Sequence, residues 1–218
     1  MSRSKRIAYL LLFLLTLGSA YLAWFLHLPT LVVYYEPEAR HSVDWDGFLY
    51  PLREAGVRRI RLVEGLPEAN ELGEREGTVS IGLVLSEERN PALDEDMIAR
   101  GLTGPGYTID WTCYVYKPDV ELFLKKHQQS LRRAGAEDWA EVKRRLVTNT
   151  AVHEAWHAIN QSTSHNPTDP ESLMFMDPGR SPATYCLHRP LFTKGHCRQC
   201  GCAQHLCISW QLPPRSPP

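Results

Sequence analysis

Two histidines one helical turn apart, with a glutamate directly after the first, constrain the fold of this 218-residue chain more than any other feature. They are His153 and His157, with Glu154 between them, in a segment from 137 to 160 whose apolar residues recur at helical spacing. On a helix, residues i and i+4 project from the same face, so both imidazoles can reach one point in space. We therefore predict a helix over 137–160 with both histidines on one face.

These residue types at this spacing suit a Zn²⁺ ion. Neutral imidazoles bind the ion without cancelling its charge, so that a water molecule on it loses a proton near neutral pH. The carboxylate of Glu154 is the predicted general base that takes this proton. The pentapeptide by itself also fits two histidines satisfied in a core or on a solvated helix face, so the surrounding sequence has to be considered.

A catalytic zinc takes a third protein ligand and keeps a fourth position for water. Downstream of His157, the candidates ahead of the cysteine-rich tail are His165, Asp169, Glu171 and Asp177. If the loop after the helix cannot bring the imidazole of His165 back to the metal, Asp169 or Asp177 becomes the third ligand.

The segment from 153 to 174 resembles the metzincin clan of zinc metalloproteases, whose pattern is HExxHxxGxxH followed by a methionine turn. Asn160 stands at the glycine of that pattern, and asparagine is the next best residue for the left-handed turn that ends such a helix. The clan's third histidine would fall at Thr163, whereas this chain has His165 two residues later. The resemblance implies that His165 is the third zinc ligand and that Met174, in a Ser-Leu-Met-Phe run, forms the methionine turn.

The predicted elements fit an α+β domain of zincin-like fold, with a mixed twisted sheet ahead of the active-site helix and an irregular cysteine-rich C-terminal part. Strands are predicted at 30–35, 58–64, 78–85 and 107–116, helices at 44–55, 118–134 and 137–160, and irregular chain from 161. The segment 107–116 has the strongest strand signal. The resemblance implies that it is the edge strand to which an extended peptide substrate adds, although an ordinary sheet strand fits equally well.

An apolar run from 7 to 26, preceded by three basic residues, has the length of a membrane-spanning helix. Gly18-Ser19-Ala20 offers a signal-peptidase site, but the apolar run continues beyond it through Trp24, which favours an uncleaved anchor. We expect a single-pass membrane protein whose catalytic domain is extracytoplasmic, with secretion after cleavage as the alternative. The predicted division is an anchor at 1–28, a catalytic domain at 29–180 and a cysteine-rich extension of that domain at 181–218.

Five of the six cysteines lie close together near the C-terminus: Cys186, Cys197, Cys200, Cys202 and Cys207. In an exported chain disulfides are permitted, and Cys113 would complete three bridges. The alternative is a second, structural Zn²⁺, because Cys197 and Cys200 have zinc-knuckle spacing. The archaemetzincin branch of the clan is similar in having a cysteine-bound zinc after its methionine turn, but the cysteines near the active helix that complete its site are missing here.

The charges balance at 24 Lys and Arg against 25 Asp and Glu, which gives no basic excess for a nucleic-acid partner. The expected partners are a peptide or protein substrate and, through the N-terminal helix, a membrane. The sequence thus predicts a membrane-anchored zinc metallopeptidase. One alternative is a catalytically inactive zincin-like metal-binding or protein-interaction module, and a weaker one is a thiol or metal-transfer function of the tail.

Overall fold

A mostly parallel sheet carries the fold in the computed structural model, which describes residues 3–26, 30–75, 77–89, 105–161 and 182–188. Its strands are β1 (Thr30–Tyr35), β2 (Arg59–Glu64), β3 (Gly73–Arg75), β4 (Thr78–Ser86), β5 (Gly106–Ile109) and β6 (Thr112–Tyr116). The main strand order is β2-β1-β4-β6-β5, with short β3 paired antiparallel to β4. Strands β2, β1, β4 and β6 are parallel, and β5 is antiparallel to β6 at one edge. The architecture is a mixed α/β fold compatible with the predicted α+β class.

Local sequence explains where several helices of the described residues begin or end. They are α1 (Arg3–Leu26), α2 (Ala39–Ser42), α3 (Trp45–Glu54), α4 (Lys117–Arg133), α5 (Trp139–Asn160) and α6 (Pro182–Leu187), with a 3-10 turn at Ala69–Glu71. Asp138 caps α5 by accepting hydrogen bonds from the backbone N–H groups of Ala140 and Glu141. Gly56 and Gly135 follow α3 and α4 at φ 100° and 98°, backbone angles that favour glycine.

Helix α5 lies at the centre of the fold. It packs on β4, β5 and β6 on one side and contacts α3, α4 and α6 on others. Fourteen of its residues between Val142 and Ile159 are buried, so the helix is enclosed on most of its surface rather than along one stripe. The side chains of His153, Glu154 and His157, near its C-terminal end, are among the enclosed residues.

The segment 107–116, predicted to be one strand, is a hairpin, and the single-strand prediction is wrong. Strands β5 and β6 pair from Gly106 opposite Val115 to Ile109 opposite Thr112, which leaves a two-residue turn. Asp110 in that turn has φ 49°, a left-handed angle that aspartate tolerates better than most residues. Strand-forming residues continue through the turn without a glycine or proline, so periodicity could not locate it. The edge strand is only Gly106–Ile109, and β6 is interior.

The chain after 161 was predicted to be irregular, but Pro182–Leu187 is helical. Residues 162–181 and 189–218 lie outside the described residues, so the prediction there stays untested. At the other end, α1 exposes its apolar side chains from Ile7 to Leu17. Within the described parts of the chain, no helix has both the length and the apolarity needed to cross a membrane.

Candidate metal centre

The two histidines of α5 converge on one point. Both are buried, and their Nε2 atoms lie 3.0 Å apart with the ring planes at 71°. Two nitrogens bound to one tetrahedral zinc, each at about 2.0–2.1 Å, would be about 3.3 Å apart. His153 and His157 thus need to separate by only a few tenths of an ångström to share an ion, and they fit two of the ligands of a zinc site.

The predicted third ligands and the predicted methionine turn lie outside the described residues. These are His165, Asp169 and Asp177 as third-ligand candidates and Met174 as the methionine turn. Within the described residues, no group of three or more His, Cys, Asp or Glu is placed to hold a metal ion. The described structure therefore supplies two ligands, and the identity of the third stays a prediction.

Glu154 lies buried between α5 and the edge strand. The hydroxyl of Thr108 in β5 lies 2.7 Å from its Oε2 and 2.9 Å from its backbone carbonyl oxygen, as a donor to both. Burial raises the pKa of Glu154 to about 8, and the hydrogen bond from Thr108 acts in the opposite direction. A carboxyl group with this pKa can exchange a proton near neutral pH.

Gly106 allows β5 to approach α5 at Glu154. A Cβ at this position would lie 2.5 Å from Cγ2 of Thr150 and 2.8 Å from both Cγ and Oε1 of Glu154. Only a residue without a side chain leaves room for the carboxylate here. Sequence reasoning did not assign a role to Gly106 or Thr108, and the only available signal was a glycine just before a strong strand pattern.

The outer nitrogen of His153 contacts a tyrosine that sequence reasoning did not single out. Its Nδ1 lies 3.0 Å from the hydroxyl of Tyr185 in α6, and Tyr185 is 2% exposed. Asn149, one turn before His153, donates through Nδ2 to the backbone carbonyls of Tyr185 (2.8 Å) and His188 (3.2 Å). No local pattern marks Tyr185, which lies in the segment predicted to be irregular.

The end of α5 differs by one residue from the prediction. Asn160 is still helical, and its Nδ2 donates to the carbonyl of Trp156. The left-handed residue is Gln161, at φ 46° and ψ 45°. Its Nε2 donates to the carbonyl of Ala158 at 2.7 Å and to that of Asp110 at 3.1 Å. Contact with the hairpin turn thus stabilises a left-handed residue that is neither glycine nor asparagine.

Two of the six cysteines lie in the described residues, and both are buried free thiols. Cys113 in β6 has its pKa raised by burial and by the nearby carboxylate of Glu154. Burial raises the pKa of Cys186 in α6 to about 12. Neither takes part in a disulfide, so the prediction that Cys113 completes a set of three bridges is wrong. Cys197, Cys200, Cys202 and Cys207 lie outside the described residues, so the choice between disulfides and a second zinc stays open.

Comparison with known proteins adds no relative. No family model, no curated protein and no solved structure matches this chain.

Proposed function

We propose that this chain is a zinc-dependent metallopeptidase of zincin-like fold, in which His153 and His157 bind the ion and Glu154 is the general base. The observation that carries the proposal is the 3.0 Å convergence of the two Nε2 atoms beside a buried carboxylate on the same helix. When bound, zinc would polarise the scissile carbonyl and acidify a water molecule.

Glu154 is suited to move the proton. Burial raises its pKa to about 8 in the metal-free protein, and a cation bound nearby would lower that pKa toward neutral pH, where a general base is most effective. Thr108 holds Oε2, and Oε1 is the oxygen proposed to accept the proton from water. Because the carboxylate is confined by Gly106 and Thr108 on β5, it needs no reorientation before the transfer.

The end of α5 supports His165 as the third ligand. In the clan's pattern the third histidine follows the left-handed glycine by three residues. Counted from Gln161, the left-handed residue here, His165 follows by four. Relative to the clan's pattern, the segment before His165 is thus longer by one residue rather than two. A smaller bulge in this segment would be enough to bring the imidazole of His165 to the metal position. Met174 is proposed to form the methionine turn beyond it.

Strand β5 is the proposed binding edge for an extended peptide substrate. It ends the sheet next to α5 and is antiparallel to its neighbour, and its residues Tyr107 and Ile109 are 41% and 46% exposed. A peptide added to this edge would form backbone hydrogen bonds with β5 and would pass close to Glu154.

Two further parts of the proposal, the location of the protein and the role of its cysteine-rich tail, rest on the sequence. The apolar run at 7–26 is proposed to anchor the protein with its catalytic domain outside the cytoplasm, or to be removed on secretion. Cys197, Cys200, Cys202 and Cys207 are proposed to form disulfides with one another or, together with Cys186, to bind a second, structural Zn²⁺.

A second candidate function is a zincin-like module that binds metal or a protein partner without cleaving it. The observations that favour it are that His165 stands two residues beyond the position of the clan's third histidine and that Asn160 replaces the clan's glycine. If His165 did not reach the ion, two histidines could bind it weakly yet fail to hold it in the geometry needed for hydrolysis.

The test compares the full chain with Glu154→Gln and with the control Glu137→Gln, which changes an exposed glutamate just before α5. All three proteins should bind zinc. Cleavage of an unfolded protein substrate should fall by about 10²- to 10⁴-fold only in Glu154→Gln, because only that variant lacks the base. Chelator-sensitive cleavage at the normal rate by Glu154→Gln would refute the proposed role of Glu154. Zinc binding without cleavage in all three would favour the non-catalytic module.

A further inference from the structure

Three residues of α5 spaced four apart, Arg145, Asn149 and His153, contact α6 or the residue that follows it. Arg145 is fixed by Glu141 and donates to the carbonyl of Leu187. Asn149 donates to the carbonyls of Tyr185 in α6 and of His188 directly after it. Two backbone acceptors of a short helix and one just beyond its end are thus bound by neighbouring side chains of α5. This docking determines where the side chain of Tyr185 lies.

His153 is held at both ends of its ring. Nδ1 lies 3.0 Å from the Tyr185 hydroxyl, and Nε2 lies 3.0 Å from Nε2 of His157. All three side chains are buried, at 2% to 8% exposure. Each ring nitrogen of His153 is thus engaged in a polar contact with another buried side chain.

The hydrogen atoms at these contacts can be arranged in two ways. A neutral imidazole carries one N–H, and a tyrosine hydroxyl can both donate and accept. If His153 donates from Nε2 to His157, its Nδ1 accepts from the hydroxyl of Tyr185. If Nε2 instead presents its lone pair to a metal ion, the hydrogen lies on Nδ1 and donates to the oxygen of Tyr185. Tyr185 satisfies both arrangements, whereas a carboxylate or a backbone carbonyl satisfies only the second.

We propose that Tyr185 is a positioning residue for His153: docked by Asn149 and Arg145, it holds the ring with Nε2 directed at the metal position, both with and without an ion. This inference rests on the proposed function, because it assigns Tyr185 a role toward the zinc ligand. It also makes a claim about the metal-free protein that is independent of catalysis, namely that the Tyr185 hydroxyl is the hydrogen-bond partner of Nδ1 of His153.

The test uses the full chain and Tyr185→Phe, which keeps the ring and removes only the hydroxyl. Tyr35→Phe is the matched control, since Tyr35 packs on Trp45 in another part of the core. The side-chain ¹⁵N signals of His153 should change in metal-free Tyr185→Phe and not in the control. Zinc affinity, measured by competition with a chelator, should fall by about 10- to 100-fold, the usual effect of removing the group behind a ligand.

A second variant, Asn149→Ala, tests the docking step. It should weaken zinc binding in the wild-type background and have little further effect in Tyr185→Phe, because both substitutions act through the same contact. Additive effects would show that Asn149 acts separately and would overturn that step.

The outcomes separate this inference from the proposed function. Unchanged His153 signals in metal-free Tyr185→Phe, or unchanged zinc affinity in a chain that does bind zinc, would overturn the role of Tyr185. If the wild-type chain binds no zinc, the proposed function fails, and the ¹⁵N signals of the metal-free proteins still decide whether Tyr185 controls the His153 ring.

Discussion

Gly106 and Glu154 face each other so closely that a single methyl group on Gly106 would lie 2.8 Å from the carboxylate oxygen Oε1. The edge strand therefore reaches the helix of the candidate site at a residue that has no side chain. Because the backbone of Gly106 is not in the left-handed region, the requirement for glycine is one of space and not of backbone conformation.

Gly106→Ala should destabilise the protein by about 1–3 kcal/mol, the usual cost of overpacking a filled interior. The added methyl would also meet Cγ2 of Thr150 at 2.5 Å, so β5 and α5 must move apart and displace Glu154. Chemical denaturation measures the loss of stability. Cleavage of substrate should fall as well if Glu154 is the base.

Gly82→Ala is the matched control for this prediction. Gly82 is also a strand glycine with an ordinary φ, but a Cβ there would meet the ends of two leucine side chains, at 3.2 and 3.5 Å, and Cγ2 of Thr112 at 3.5 Å. We expect a smaller effect there. Equal stability loss in both variants would contradict the proposed close fit between Gly106 and Glu154.

Thr108→Val should raise the pKa of Glu154 above its value of about 8. The Thr108 hydroxyl donates to the ionised carboxylate and stabilises it, so removing the donor favours the protonated form. A hydrogen bond to a charged group contributes about 1.5–3 kcal/mol, which corresponds to roughly one pKa unit or more. A ¹³C NMR titration of the metal-free protein measures the shift.

Thr112→Val, which removes a hydroxyl from the neighbouring strand of the same hairpin, is the control for Thr108→Val. The pKa of Glu154 should stay unchanged in it. A lower pKa in Thr108→Val would reverse the expected sign and show that the hydroxyl favours the neutral acid.

Gln161→Ala and Gln161→Gly should differ in stability although both remove the same amide. Each loses the hydrogen bonds to Ala158 and Asp110, at a cost of about 0.5–1.5 kcal/mol. Glycine also relieves the left-handed strain at φ 46°, which for other residues costs roughly 1–2 kcal/mol. We expect Gln161→Ala to be destabilised and Gln161→Gly to lie near the wild type in thermal denaturation. Equal melting temperatures of the two variants would argue against strain at this position.

His165→Ala should weaken zinc binding by more than the 10- to 100-fold that is typical for residues behind a ligand, because it removes a ligand itself. Asp169→Asn and Asp177→Asn are the comparison variants, and each should leave the affinity close to that of the wild type. Chelator competition measures all three. A large loss in an aspartate variant with none in His165→Ala would transfer the third-ligand role to that aspartate.

Helices α3, α4 and α5 and strands β1, β2 and β4 follow from local sequence. The spacing of apolar residues and the glycine at 135 predict α4 and α5 to within a few residues. The same spacing predicts that His153 and His157 share a face. These properties depend on the helical repeat, which is local, so no knowledge of distant contacts is needed.

The hairpin and the helix end could not be predicted in this way. Asp110 and Gln161 are the only residues other than glycine with positive φ in the described ranges, and the side chain of Gln161 binds the carbonyl of Asp110. The two left-handed residues come into contact only after β5 and β6 have paired and packed on α5. Turn rules allow aspartate in the left-handed region but do not require it there, and they do not place glutamine there at all.

The sequence by itself determined that one helix presents two imidazoles and a carboxylate in a pattern suited to a metal ion. Only the tertiary structure decided what surrounds them. Thr108 lies 46 residues before Glu154, and Tyr185 lies 32 residues after His153. Contacts over such separations depend on the order of strands, which places β5 at the edge beside α5, and on the docking of α6. The spacing of side chains along one segment shows which residues share a helix face. It carries no information about which strand or helix packs against that face.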